Sequence, residues 1–433
     1  MGSPNYTNQQ RDPVGRFSHT TGTPADRSVL DDRPNPPSSW PQSRTVTATV
    51  FYSRRPSDDP GPVDVQATIP PLLADLQLNI PADISQQSVA AERALATLDV
   101  EASRLPPSVT EAVTISLLRA ESVSSSRIEG LSVSNRRLSE AFYDPAAAKR
   151  LAREVAANTV ALEHSIRIGS ERRPLTTNDL RDIHAKLMER VPFIDAGELR
   201  TSQNWIGPSD DPSKAEFVPP PVDQVEPLLD DLCRFVERDD IPATVRAAIG
   251  HAQFEAIHPF ADGNGRVGRC LISIVLRRGA ETDVIPPISG VCVSDTAAYF
   301  HSLQQFQQHA NPWPWVSQFC EATETASGTA QRLSNDIIEL QEHWAEQAGR
   351  PRSGSISNRL IDVLPTMSFT DADVVAERLG VSTNLARSGL NQLEQAGVLS
   401  TIAGRKRNRV WRADGFHELL DRYSAGFDRQ VIE

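Results

Sequence analysis

An all-α fold, broken by one β-hairpin and followed by a small winged helix-turn-helix, is the fold class this sequence predicts. Three observations lead there. Apolar residues recur at helical spacings through most of the chain from about residue 69 to 349. One stretch within it, GELRTSQNWIGPSDDPSKAEFVPPP at 197–221, gathers Gly, Pro, Asn and Asp between strand-forming ends, the pattern of a long hairpin. The C-terminal part then switches to short helices and short strands around a basic cluster.

Composition narrows the function classes. The 433 residues are 39% hydrophobic and 23% charged, enough apolar material for real cores and too much for wholesale disorder. No run approaches the roughly 18 apolar residues of a membrane-spanning helix, so no membrane partner is expected. The polar start MGSPNYTNQQRDPVGRF lacks the apolar stretch of a secretory signal. Four scattered cysteines, Cys233, Cys270, Cys292 and Cys320, form neither a disulfide scaffold nor a zinc knuckle and suit a reducing cytoplasm. A net charge of -12 argues against a surface that coats nucleic acid, while leaving room for a local basic patch.

The elements follow in order. Residues 1–62 hold ten of the 32 prolines among Ser, Thr, Asn, Asp and Arg, and read as a flexible tail in which only Thr45–Tyr52 has the character of a strand. Residues 63–145 form an N-terminal helical region, where 111–129 places Val113, Leu117, Leu118 and Ala120 at helical spacings and stops at Gly130. Residues 146–330 form a core, with helices expected at 146–168, 177–190, 222–239, 242–257, 265–279, 295–309 and 313 onward. A linker helix, 331–350, leads to a C-terminal domain, 351–433. There FTDADVVAERLG predicts a helix capped by Thr370 and ended by Gly380, and Ser382 caps a second. Two short strands then flank a turn with Arg405, Lys406, Arg407 and Arg409. Of nine Lys or Arg over 352–412, five fall within 405–412, which concentrates charge on the wing.

The stretch that carries chemistry is HPFADGNGRVGR, His258 to Arg269, between two expected helices. Gly263 and Gly265 flank Asn264, so the backbone can turn tightly and present N–H groups to an anion at a helix N-terminus. Arg266 and Arg269, three apart, can hold phosphate oxygens with forked guanidinium groups. Asp262 is a hard oxygen ligand suited to Mg²⁺ beside phosphates. His258 can take a proton near neutral pH. His251 and Glu255, a turn apart, read as buried core groups rather than metal ligands, and Trp313 and Trp315 as core anchors.

The motif resembles that of the Fic family, HPFx[DE]GNGRxxR, at all nine specified positions. RAESVSSSRIEG before the core, and VSDTAAYFHSL with NPWPWVSQF after it, extend the resemblance over about 69–420. It implies a nucleotidyltransferase that moves AMP from ATP to a Tyr, Ser or Thr hydroxyl of a protein. His258 would be the base, Asp262 would hold Mg²⁺, Gly263 to Arg266 would bind phosphates, and Arg269 would reach the γ-phosphate. Gly265, where a phosphorylating branch has Lys, favours AMP transfer. Gln253, Asp295 and Tyr299 are further nucleotide contacts by the same resemblance, and the hairpin at 200–218 would align the target side chain by main-chain pairing.

Ser125 to Gly130 similarly matches the family's inhibitory [ST]xxxE[GN] pattern. Ser125 and Glu129 share a helix face, and Glu129 ends that helix, where the macrodipole disfavours a carboxylate by some tenths of a kcal/mol. The resemblance implies that Glu129 competes with the γ-phosphate for Arg269 and restrains the enzyme. Two alternatives share these residues: a DNA-binding regulator with the core as nucleotide sensor, and an enzyme removing AMP, in which Glu129 orients water. The winged helix could bind DNA or serve protein contacts such as a homodimer.

Overall fold

The computed structural model describes residues 40–52, 61–207, 209, 211–280, 282–402 and 409–424. They are mostly helical and fall into two compact units, neither continuous in sequence. The first draws on residues up to Val89, His164–Gly279 and Ala297–Cys320. The second comprises Ala90–Glu163, Ala280–Thr296 and Glu321 onward. The divisions fall inside long helices, so the units do not follow the five consecutive segments expected from sequence. Labels below follow chain order.

The first unit begins with β1 (Arg44–Tyr52) paired antiparallel to β2 (Gly61–Ile69), in a register running from Arg44↔Ile69 to Tyr52↔Gly61. The tail expected over 1–62 is therefore shorter, because Val46, Val50, Val63, Val65 and Ala67 give this hairpin an apolar face of its own. Residues 1–39 and 53–60 lie outside the described residues. The helix α1 (Ala82–Ser103) starts here, and Ser88 on it bonds Thr244 at 2.7 Å.

Four helices build the frame of the site: α5 (Thr177–Met188), α6 (Val222–Val236), α7 (Ala243–Ile257) and α8 (Asn264–Gly279). Thr176 and Asp179 close a reciprocal capping box on α5. Every residue of α7 is buried, which makes it the central helix and explains why it lacks an apolar stripe. Gly268 lets α8 approach α7: a Cβ there would stand 2.8 Å from His251 Nδ1 and 2.9 Å from Glu255 Oε1. Trp315 also locks α7, donating its indole N–H to the Ala248 carbonyl at 2.7 Å beside the His251 ring. Burying such aromatic side chains contributes about 2–3 kcal/mol each.

The expected long hairpin at 197–221 is reduced to one antiparallel bridge, Ile206↔Phe217, around a 3-10 turn at Pro212–Lys214. The prolines around the turn lack the amide donors a longer ladder needs. Val218 bonds the β1–β2 hairpin instead, its carbonyl accepting the Thr68 N–H at 2.8 Å. Helix α10 (Thr296–His309) completes this part.

The second unit holds α2 (Pro107–Ile128), α3 (Asn135–Tyr143), most of α4 (Arg150–Ser170) and α9 (Ile288–Ser294). Serines on α2 allow close packing against α4: Asn158 Nδ2 donates to the Ser122 carbonyl (3.1 Å) and Ser126 Oγ (3.2 Å), and Thr159 to Ser122 Oγ (2.8 Å). The expected linker helix is no separate element, because α11 (Trp313–Gln347) runs unbroken through 35 residues. Then come α12 (Ile356–Val363), β3 (Phe369–Thr370), α13 (Ala372–Leu379), α14 (Thr383–Gln395), β4 (Leu399–Thr401), β5 (Trp411–Ala413) and α15 (Phe416–Ser424), with sheet order β3-β5-β4. Ser382 caps α14 as expected. The cap of α13 is Asp371 rather than Thr370, its carboxylate accepting the N–H groups of Asp373 and Val374, while Thr370 is paired into β3. Arg405, Lys406 and Arg407 lie outside the described residues. Arg409 is drawn to Glu394 at 2.5 Å and lies 5.1 Å over the Trp411 ring.

Candidate active site

The loop between α7 and α8 carries the motif. His258 caps α7 in a left-handed conformation, φ 49, with its N–H on the Phe254 carbonyl at 2.9 Å. Such a conformation is uncommon outside glycine and turns the chain sharply out of the helix. Its side chain remains partly exposed, and Nδ1 lies 3.9 Å from Glu255 Oε2. That distance is too long for a hydrogen bond.

Two residues unremarked in the sequence hold this turn. Arg200, buried at 5% exposure, donates to the His258 carbonyl (3.0 Å), the Ser202 carbonyl (3.2 Å) and the Pro220 carbonyl (2.5 Å), while its N–H bonds the Pro259 carbonyl (2.9 Å). One guanidinium thus fastens both legs of the 202–220 loop to the histidine's own backbone. Burial pushes its pKa down to about 10, still far above neutrality, so the fork remains charged. His184 on α5 accepts the Gly197 N–H at Nδ1 (2.9 Å), which leaves Nε2 to donate to the Asp262 carbonyl (3.2 Å). Its ring stacks on Phe260 at 3.9 Å.

The rest of the loop is equally fixed. Gly263 has φ +78, and a Cβ there would fall 2.1 Å from Met188 Cε, so only glycine fits. Asn264, expected to meet phosphate, spends its side chain on the loop instead, accepting the Phe260 N–H (2.8 Å) and donating to the Phe260 carbonyl (2.9 Å). What Asn264 and Gly265 offer an anion is their main-chain N–H groups in the first turn of α8. Asp262 Oδ1 accepts the Gly263 N–H at 2.6 Å and lies 3.7 Å from Arg266 Nη2.

Arg269, 4% exposed, donates to Tyr299 Oη at 3.3 Å, and that hydroxyl is 2.8 Å from His251 Nε2. Tyr299, expected at the nucleoside's edge, is buried and orients Arg269. Gln253, also expected to face a nucleotide, is wholly buried and donates to the Pro71 carbonyl at 2.8 Å. The structure thus brings His258, Asp262, Gly263, Asn264, Gly265, Arg266, Arg269 and Tyr299 together within the first unit. Ser125, Glu129 and Asp295 belong to the second. Ser125 is buried on α2, Glu129 is half-buried at its C-cap, and Asp295 is an exposed C-cap of α9.

Burial lowers the pKa of His184 to about 4 and of His251 to about 3, the latter with help from Arg269. Both are neutral in the folded protein and ordinary in the unfolded chain, which therefore binds more protons below pH 6.5. Stability should fall as pH drops from about 6.5 toward 4, by up to about 1.4 kcal/mol per pH unit for each histidine. Urea midpoints at pH 7.5 and 5 measure the loss, and in His184→Gln the decline should be shallower. An equal decline in that variant would remove His184 from the account.

Relatives share this arrangement of sequence. The Fic/DOC family N-terminal model matches residues 85–167 and the Fic/DOC family model residues 174–276. The protein adenylyltransferase fic-1 of Caenorhabditis briggsae is 28% identical over 139 residues, 31% of this chain and 25% of that protein. The protein adenylyltransferase Fic of Drosophila erecta is 24% identical over 196 residues, 43% of this chain and 37% of that one. The chain thus spans well under half the length of these curated relatives. A Fic family protein from Desulfovibrio desulfuricans G20 has a structure similar at a TM-score of 0.49 and 21% identity, covering 78% of this chain and 98% of that one. Among the described residues no helix is long and apolar enough to cross a membrane. The Fic/DOC family N-terminal model and the Fic/DOC family model match in succession and every specified motif position is in place, so residues 85–276 carry the two consecutive regions of the Fic/DOC family.

Proposed function

We propose that this chain is a protein adenylyltransferase, moving AMP from ATP to a Tyr, Ser or Thr hydroxyl of a protein. The observation that carries the reading is the pairing of a partly exposed His258 with a rigid anion-binding loop that begins four residues later. In the step, the hydroxyl oxygen attacks the α-phosphorus, the bond from that phosphorus to the bridging oxygen breaks, and pyrophosphate leaves. His258 takes the hydroxyl proton. The main-chain N–H groups of Asn264 and Gly265, with Arg266 and Arg269, offset phosphate charge.

Asp262 fits Mg²⁺. It is a hard carboxylate just before the first turn of α8, with Oδ1 accepting the Gly263 N–H. That matches an ion that takes one carboxylate and completes its shell with phosphate oxygens and water. When bound, Mg²⁺ would neutralise charge on the leaving pyrophosphate. Glu129 restrains the activity in this reading, and α12 to β5 are a winged helix-turn-helix. Arg409 is engaged with Glu394 and Trp411. The expected location is the cytoplasm.

The reading is tested with ATP labelled at the α- or the γ-phosphate, Mg²⁺ and a protein mixture. Label should enter protein from the α-position alone. Entry from the γ-position would mean phosphorylation, and loss of existing AMP from modified protein would mean the reverse reaction.

A further inference from the structure

Three buried polar side chains, on three helices of the first unit, form a line that ends on Arg269. His251 lies on α7, Arg269 on α8 and Tyr299 on α10. The Tyr299 hydroxyl is the middle member, 2.8 Å from His251 Nε2 and 3.3 Å from Arg269 Nη1. A guanidinium can only donate, so the phenol oxygen accepts from Arg269. Its own proton then falls to His251 Nε2, which a neutral imidazole can accept. Burial and the charge of Arg269 push the His251 pKa down to about 3, so the ring is neutral. The ring proton accordingly sits on Nδ1, the nitrogen that faces Gly268.

Packing fixes both rings of this line. The Trp315 ring lies 5.5 Å from that of His251 and meets the Tyr299 ring edge-on at 5.4 Å. Neither ring can turn without displacing the indole, which is itself bonded to α7. An unsupported arginine side chain samples many rotamers. A guanidinium bonded to a fixed phenol oxygen is aimed before its ligand arrives, so less freedom is lost on binding. Removing the acceptor at position 251 would take away the group that sets the phenol proton, and with it the direction of the oxygen's lone pairs.

We propose that His251 is a positioning residue for recognition of the terminal phosphate: by accepting the Tyr299 proton it turns the phenol oxygen toward Arg269 and so aims that guanidinium. The assignment of the γ-phosphate to Arg269 rests on the transferase reading. The part played by His251 is read from nucleotide binding alone, with no acceptor protein and no transfer, so this result and the α-label result can fail separately.

The experiment uses the full chain carrying Glu129→Gly, which removes the expected competitor for Arg269. It is titrated, in Mg²⁺, with the α,β-methylene analogues of ATP and ADP, in which the bond that transfer breaks is replaced. This parent should prefer the ATP analogue by at least about tenfold. His251→Leu and Tyr299→Phe should each lower that preference about fivefold or more, with affinity for the ADP analogue kept within about twofold. His251→Gln, which keeps an acceptor, should retain more of the preference than His251→Leu. After Arg269→Ala, neither change should lower the preference further. A general loosening of the core would weaken both analogues alike and leave their ratio unmoved. Should His251→Leu fail to fold, His251→Asn, too short to reach Tyr299, takes its place. An unchanged ratio in the position-251 variant or in Tyr299→Phe, or no preference in the parent, would overturn the proposal.

Discussion

Replacing His258 with alanine is expected to lower the rate of AMP transfer by on the order of 10² or more while ATP affinity stays within about twofold. A hundredfold loss is about 2.7 kcal/mol of transition-state stabilisation. The separation of rate from affinity follows from the site's construction. Arg200 holds the turn through the His258 carbonyl and Asn264 holds the loop through Phe260, so neither depends on the imidazole. Alanine in the left-handed position adds strain of about 1 kcal/mol, which asparagine in its place would lessen, since asparagine visits that region more readily. His258→Asn should therefore be as inactive as His258→Ala but more stable. Single-turnover assays beside nucleotide titrations separate the two quantities, and transfer at the wild-type rate in either variant would exclude the general-base role.

Glu129→Gly is expected to raise AMP transfer at least about tenfold, equivalent to about 1.4 kcal/mol. The carboxylate ends α2 at its electronegative terminus, and the bonds from Asn158 and Thr159 to Ser122 and Ser126 tether that helix to α4. A charge kept half-buried on a tethered helix end is suited to compete for a cation, and Arg269 is the cation that the Ser125-to-Gly130 pattern implies. Arg269→Ala should not reproduce the gain, because it removes a phosphate ligand, and the double variant should be as inactive as Arg269→Ala. Rates are compared across ATP and Mg²⁺ concentrations. No gain at any of them would reject the restraint, and loss of AMP removal would make Glu129 a catalytic group of the reverse reaction.

The helices were legible wherever one face meets solvent. The spacing of apolar residues locates α5 and α6 within a few residues of their ends. Tertiary context decided what the pattern left open. Thr45–Tyr52 becomes a strand because Gly61–Ile69 returns beside it, a partner no local window reveals. The 197–221 hairpin shrinks to one bridge because its other pairing opportunity is taken by β2. The motif was legible because its chemistry is contiguous from His258 to Arg269. Arg200 and His184 were not, since they act on main-chain atoms 58 and 78 residues away, and a carbonyl carries no sequence signature. Gln253 and Tyr299 illustrate the converse: polar side chains near a motif can be occupied in holding it together.

The two bonds between Asn264 and the Phe260 main chain bear on the thermodynamics of ligand capture. A loop that already has its bound geometry loses little conformational freedom when an anion arrives. Nucleotide affinity should then owe little to ordering of the protein, and the heat capacity change on binding should reflect the nucleotide's own dehydration rather than folding of the loop. The Asn264 side chain thus serves less as a ligand than as the part that separates folding of the cradle from filling it.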